Sequence, residues 1–287
     1  MIQIKSLSKI VSVLGEGPLW QPQISSIIWT DIPNKVLHIA DLDSGKSRSL
    51  TTPTLVSAVA ETIFGDLLVA TKEGIAKIEL NGSFQVFDEF LEPDMRMNDG
   101  KVDPRGNFWV GSLATNFEPK RGALYEIGAG GERKTILKDM TLSNGMGWSP
   151  DLEYFYYIES VPGILFRFNY DYLTGKISNK CVLAEFDPIL GIPDGLCITN
   201  EGQIIVAMWD GHRLELLGSD GKKLEEFKLP ISRPTSCCFA GNNYSTLVVT
   251  SASQEIDRDR EPMAGMVLTL DGIGLTGLPS YKFGEES

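Results

Sequence analysis

Four short stretches of the chain place a side-chain oxygen beside a backbone-bending residue. They are Glu16 in Gly-Glu-Gly-Pro, Asn98 in Arg-Met-Asn-Asp-Gly, Asn144 in Ser-Asn-Gly and Asp194 in Pro-Asp-Gly. Two carboxylates and two carboxamides, with no thiol or well-placed imidazole, make a hard oxygen donor set. Such a set suits one divalent cation, with Ca²⁺, Mg²⁺ or Mn²⁺ ahead of Zn²⁺. Arg96, two residues before Asn98, adds a cation able to bind hydroxyl or anionic groups next to them. Each stretch alone is ordinary turn chemistry. Shared chemistry requires a fold that brings all four to one place.

The chain carries the pattern of such a fold. Runs rich in β-branched and aromatic residues lie at 26–30, 67–71, 108–112, 154–158, 204–208 and 246–250, each after a turn cluster such as Pro104-Arg105-Gly106-Asn107. Further strands follow at 36–39, 75–78, 123–127, 164–169 and 214–217, ending in Gly-containing turns. Counted from Glu16, Ser57, Asn98, Asn144, Asp194 and Thr235, the unit recurs every 41 to 50 residues. That period with four strands per unit predicts an all-β, six-bladed β-propeller of four-stranded antiparallel blades, in one domain over 1–287. A propeller must close its ring to avoid an open edge, and residues 2–13 are placed to add the outer strand of the last blade. The innermost strand of each blade lines the central channel, so the four oxygen-bearing stretches converge there.

Other features narrow the function classes. A net charge of −12 argues against nucleic acid as partner. No apolar run approaches the roughly 18 residues of a membrane helix, and residues 1–13 alternate polar and apolar positions, unlike a signal peptide. The expectation is a cytoplasmic protein, a monomer or weak dimer, with no membrane or nucleic-acid partner. Cys181, Cys197, Cys237 and Cys238 have no C-x-x-C spacing and read as reduced, strand-buried thiols. His38 and His212, the only histidines, lie away from the blade entrances and read as structural. No nucleophile elbow, phosphate-binding loop or dinucleotide fingerprint is present.

Several longer stretches occur in order along the chain: Gly15-Glu16-Gly17-Pro18 with Trp20, Met97-Asn98-Asp99-Gly100-Lys101-Val102-Asp103-Pro104, Gly122-Ala123-Leu124-Tyr125, Ser143-Asn144-Gly145 with Trp148-Ser149, Pro193-Asp194-Gly195, and Thr235-Ser236-Cys237-Cys238-Phe239. On these, the sequence resembles the regucalcin, gluconolactonase and luciferin-regenerating-enzyme family over essentially its full length. The resemblance implies one catalytic divalent cation in the channel, held by Glu16, Asn144 and Asp194, with Ca²⁺ first and Zn²⁺, Mn²⁺ or Mg²⁺ as alternatives. It implies hydrolysis of a small-molecule sugar lactone such as gluconolactone. In that chemistry the metal polarises the carbonyl and activates water, and Asp194 is the general base. Arg96 and Asn98 would contact lactone hydroxyls, and Asp99 would support the site. The chain departs from the family pattern at Thr115-Asn116, where vertebrate members carry acidic residues, at Met95, and at Glu159-Ser160. Two alternatives follow: hydrolysis of another ester, luciferin-related or organophosphate substrate, or a non-enzymatic, calcium-binding regulatory propeller.

Overall fold

The six aromatic and β-branched runs form the second strands of six antiparallel sheets: Ser26–Asp31, Leu67–Thr71, Phe108–Ala114, Tyr154–Glu159, Ile204–Trp209 and Thr246–Ser251. A computed structural model describes residues 2–284, and in it each second strand sits between an inner and a third strand of its own four-stranded sheet. The inner strands are Gly15–Gln21, Val56–Glu61, Met95–Val102, Ser143–Trp148, Ile192–Ile198 and Pro234–Ala240, which define blades one to six. The ring closes as expected: Gln3–Ser6 pairs antiparallel with Leu268–Asp271 and becomes the outer strand of blade six. Two short 3₁₀ turns, Pro22–Ile24 and Pro188–Leu190, are the helical elements among the described residues.

Burial explains why the second strands are so apolar. Each blade packs against a blade on either side, so both faces of its middle strands are covered, and alternation gives way to continuous burial, as over Ser26–Asp31 and Leu67–Thr71. The hydrophobic core is correspondingly divided into six clusters, one at each blade interface. The interface of blades three and four holds Trp109, Trp148, Phe155 and Tyr170; that of blades six and one holds Trp20, Trp29 and Val248. Outer strands such as Lys223–Lys228 are charged and exposed, which blunts the sheet edge against pairing with another chain.

The inner strands share a second feature. Each slips register against its second strand at the same height, after Glu16, Val56, Met97, Ser143, Pro193 and Pro234. A bulge adds a residue and re-aims side chains, here toward the channel. Pro18, Pro193 and Pro234 are tolerated in these strands because the channel-facing edge needs no ladder donor.

Glycine completes the arrangement where blades come closest. A Cβ on Gly145 would lie 2.7 Å from the Asp194 carbonyl oxygen, and one on Gly195 would lie 2.2 Å from Ser236 Oγ. The missing Cβ at Gly17, Gly145 and Gly195 therefore lets neighbouring inner strands meet around a narrow channel.

Candidate functional site

The six bulge positions divide into two groups by what their side chains do. Ser57 and Thr235 turn sideways and brace the neighbouring blade: Ser57 Oγ donates to the Asn98 carbonyl at 2.8 Å, and Thr235 Oγ1 donates to the Gly15 carbonyl at 2.6 Å. Glu16, Asn98, Asn144 and Asp194 instead line one pocket of about 320 Å³, together with Arg96. The blade-entrance oxygens thus do converge. Asp99 lies one residue further along its strand and lines a separate pocket of about 120 Å³ at the other mouth, with Lys101 and Tyr281.

A chain of hydrogen bonds crosses the pocket floor, and its donor directions are set by chemistry. Arg96 can only donate, so the Asn98 atom that meets its Nη1 at 2.8 Å is Oδ1. Asn98 Nδ2 then donates to the Ser143 carbonyl and to Asn144 Oδ1, both at 2.7 Å. The single hydroxyl proton of Ser160 goes to the Pro193 carbonyl at 2.6 Å, so Asn144 must offer Ser160 its amide Nδ2, at 2.8 Å. Both ends of the chain dictate the same Asn144 orientation. Its Oδ1 keeps one lone pair beyond the bond from Asn98.

The carboxylates are arranged in the opposite way. Among the described residues no donor reaches the side chain of Asp194, which is 8% exposed. Glu16 Oε2 accepts only the adjacent Gly17 N–H, at 3.1 Å. Burial pushes the Asp194 carboxyl well above the usual carboxylate range, the negative charge of Asp99 pushes it further, and Arg96 opposes both. Burial does the same to Glu16, reinforced by Asp194 and Asp99. Glu16 and Asp99 keep some surface open, but it faces the channel rather than bulk water, so desolvation still dominates. Burial also lowers Arg96 to about 10 against the pull of Glu16 and Asp194. One guanidinium does not offset the burial of Glu16 and Asp194 and the added charge of Asp99.

The donor set therefore fits a divalent cation: two underused carboxylates and one carboxamide oxygen locked toward them. No three His, Cys, Asp and Glu side chains group suitably for a metal among the described residues; the third oxygen beside the two carboxylates is the carboxamide of Asn144.

The remaining candidates lie elsewhere. His38 packs on Trp29 and hydrogen-bonds Ser49 at 2.8 Å within blade one. His212 is in the turn after Ile204–Trp209, at φ 55°. The cysteines are free thiols. Ser160, Trp209, Phe117 and Gln254 join the pocket without having stood out in the sequence as site residues. Ser160 had no signal in the repeat: Thr30 and Thr250, which bond the carbonyls of Val56 and Ser236, correspond to Ile158 in blade four, and Ser160 follows the strand Tyr154–Glu159. Phe117 and Gln254 come from loops that share no repeat, and Trp209 is the last residue of its second strand.

Ser160 is a positioning residue for Asn144. Ser160→Ala leaves the Asn144 amide and the Pro193 carbonyl without a partner, so the affinity for Ca²⁺, read by calorimetry, is expected to fall about tenfold, in line with losses of groups that orient metal ligands. Ser160→Thr should restore it. Equal Ca²⁺ affinity in all three proteins would remove Ser160 from the site.

Residues 14–253 match the family model described as the SMP-30/gluconolactonase/LRE-like region. Regucalcin of Gallus gallus is 35% identical over 282 residues, with 94% of each chain covered. Among solved structures, a luciferin-regenerating enzyme superposes with a TM-score of 0.92 at 29% identity, covering 99% of both chains. The calcium-binding protein regucalcin from Agrobacterium tumefaciens superposes with a TM-score of 0.94 at 26% identity, covering 99% of this chain and 98% of that one. The order of motifs, the bulged inner strands and this full-length similarity agree: the chain belongs to the SMP-30/gluconolactonase/LRE-like family.

Proposed function

We propose that the protein is a metal-dependent lactone hydrolase whose cation is held by Glu16, Asn144 and Asp194. The observation that carries this reading is the pair of buried carboxyls, Glu16 and Asp194, raised in pKa and nearly free of protein donors, beside an Asn144 oxygen whose direction is set on both sides. A divalent cation bound there supplies Lewis-acid polarisation of a carbonyl oxygen and lowers the pKa of a bound water.

The protein's own groups account for the rest. Asp194 is the general base, because its carboxylate lines the pocket and accepts no protein hydrogen bond that would compete with the proton of a water molecule. Arg96, on the same pocket wall, offsets the negative charge that builds as the lactone carbonyl is attacked. The bond between acyl carbon and ring oxygen breaks, the ring oxygen leaves with a proton, and the product is the open hydroxy acid. Membership of a family that includes gluconolactonases supports a cyclic ester as substrate, with gluconolactone the first to test.

The test is hydrolysis of gluconolactone, followed by proton release, on chelator-stripped protein to which Ca²⁺, Mg²⁺, Mn²⁺ and Zn²⁺ are returned one at a time, with melting temperature recorded in parallel. Activity restored by at least one cation, with a rise in melting temperature, is the expected result. A cation at a hundred times its Kd adds about 2.7 kcal/mol of stability. Cation-induced stabilisation without hydrolysis of any lactone would favour a calcium-binding role without catalysis. Neither effect would remove the metal centre itself.

A further inference from the structure

The pocket above the carboxylates is apolar on most of its walls. Leu14, Ile32, Phe117, Leu142, Ile192 and Trp209 line it. Of this lining, Phe117 is 53% and Ile192 37% exposed, and in the turn just before Ile192 the side chains of Leu190 and Ile189 are exposed at 58% and 89%. Contiguous exposed apolar surface that runs into a pocket marks a binding surface.

This collar is held in place by named contacts. Phe117 sits at φ 58° in a loop fixed by Arg121, which pairs with Glu92 at 2.8 Å, Asp94 at 3.1 Å and Glu118 at 3.0 Å. The turn Pro188–Leu190 is capped by Asp187, whose side chain accepts from Ile189 N, and Arg213 donates to the Leu190 carbonyl. Trp209 lies under the Arg233 guanidinium, 4.8 Å from its ring centre. A non-Gly residue in the left-handed region costs energy that the surroundings must offset, and these pairs hold Phe117 at the mouth.

The side-chain donors Arg96 Nη1 and Asn98 Nδ2 on the polar side of the pocket are already used. Both protons of Arg96 Nη1 go to Met97 O and Asn98 Oδ1, at 2.9 and 2.8 Å. Both protons of the Asn98 amide go to Ser143 O and Asn144 Oδ1. With the Glu16 and Asp194 carboxylates and Asn144 Oδ1 turned to the cation, only the outer edge of Arg96 and the Gln254 amide remain to meet hydroxyl groups. A polyhydroxylated ring placed here would bury hydroxyls without partners, which lowers affinity.

We infer that the preferred substrate is a lactone whose ring bears an apolar alkyl or aryl substituent seated on Phe117, Ile192 and Trp209, rather than a polyhydroxylated aldonolactone. The inference rests on the lactonase reading above and specifies the substrate class of the same pocket. The ring carbonyl stays at the carboxylates, and the substituent runs outward along the collar.

The experiment compares δ-valerolactone, δ-hexalactone, δ-octalactone, δ-decalactone and gluconolactone as substrates of the full chain loaded with its most activating cation. Calorimetry measures binding of the matching non-hydrolysable δ-lactams. Each buried methylene is expected to raise both kcat/KM and lactam affinity roughly threefold until the collar is covered, placing the alkyl lactones above gluconolactone. Phe117→Ser and Trp209→Ser should each lower the δ-decalactone to δ-valerolactone ratio about tenfold. A flat or falling series, or gluconolactone as best substrate, overturns the inference and leaves the lactonase reading intact. No turnover of any lactone, with lactam affinity still graded by chain length, overturns the lactonase reading and keeps the apolar pocket; no turnover and no graded binding overturn both.

Discussion

Asp194→Asn is expected to raise the melting temperature of the metal-free protein at pH 7, to abolish the further rise that a divalent cation produces, and to lower lactone hydrolysis by roughly 10²–10⁴ as expected for loss of a general base. The opposite signs come from one arrangement. In the metal-free fold the Asp194 charge raises the proton affinity of the buried Glu16, with Asp99 adding to both carboxyls and Arg96 the only basic group acting on both. Asn keeps the volume and removes one of the repelling charges. Each kcal/mol relieved raises the melting temperature by roughly 2–4 °C in a chain of this size class.

The pH dependence has a definite sign. Both carboxyls bind protons more tightly in the fold than in the unfolded chain, so their contribution to stability is complete below the ordinary carboxylate pKa of about 4 and is lost as pH rises through the raised folded-state values. The metal-free protein therefore loses stability from these groups on going upward from about pH 4, whereas a cation, which competes with those protons, stabilises more at neutral pH than at pH 5. Thermal melts of wild type and Asp194→Asn, with and without Ca²⁺ across that range, test both claims. A lower metal-free melting temperature in Asp194→Asn would refute the repulsion argument, and a retained cation shift would remove Asp194 from the ligand set.

Asp103→Ala should destabilise the protein more than any single change at the channel mouth, by roughly 3–5 kcal/mol. Asp103 is fully buried at the turn that joins the inner and second strands of blade three. Its carboxylate accepts from Arg105 N at 2.9 Å, Asn107 N at 2.8 Å, Trp109 Nε1 at 3.1 Å and Tyr170 OH at 3.3 Å. It thus ties the hairpin of blade three to the third strand of blade four through the aromatic cluster of Trp109, Trp148, Phe155 and Tyr170. Burial and the Asp103 charge together push the Tyr170 phenol upward, so this hydroxyl stays a donor at all working pH values. Removing the acceptor strands several buried donors at once, and each unsatisfied group costs about 1–3 kcal/mol. Equilibrium unfolding in denaturant measures the loss, with Val substituted at Arg105 as a surface control for the same turn. A change under about 1 kcal/mol for Asp103→Ala would mean that water takes over the role of the carboxylate.

The architecture could be read from the sequence because it is repeated. Six apolar runs spaced by Gly-containing turns identify blades, and the second strands begin where the runs begin, at residues 26, 67, 108, 154, 204 and 246. Strand two of each blade is buried on both faces, so its composition reports its place directly. The N-terminal closing strand was legible from the logic of an unpaired edge, although Gln3–Ser6 by itself is a weak β pattern with mostly exposed side chains.

The site was legible only in part, and the division has a physical cause. Residues at the bulges belong to the repeat, so Glu16, Asn98, Asn144 and Asp194 could be picked out by register alone. Their orientation could not be, because it depends on hydrogen bonds between blades distant in sequence: Asn98 to Asn144 across 46 residues, and Ser160 to Pro193 across 33. The same holds for Asp99, adjacent to Asn98 in sequence yet lining the opposite mouth, because consecutive strand residues diverge where the register slips. Phe117, Ile192 and Trp209 come from connections and strand ends with no repeat to mark them. Local pattern and period determined by themselves the blades, their number and the oxygen-rich register. The tertiary structure alone decided which carboxylates lack partners, which donors are spent and which apolar side chains crown the pocket, since burial and hydrogen-bond direction are properties of the closed ring.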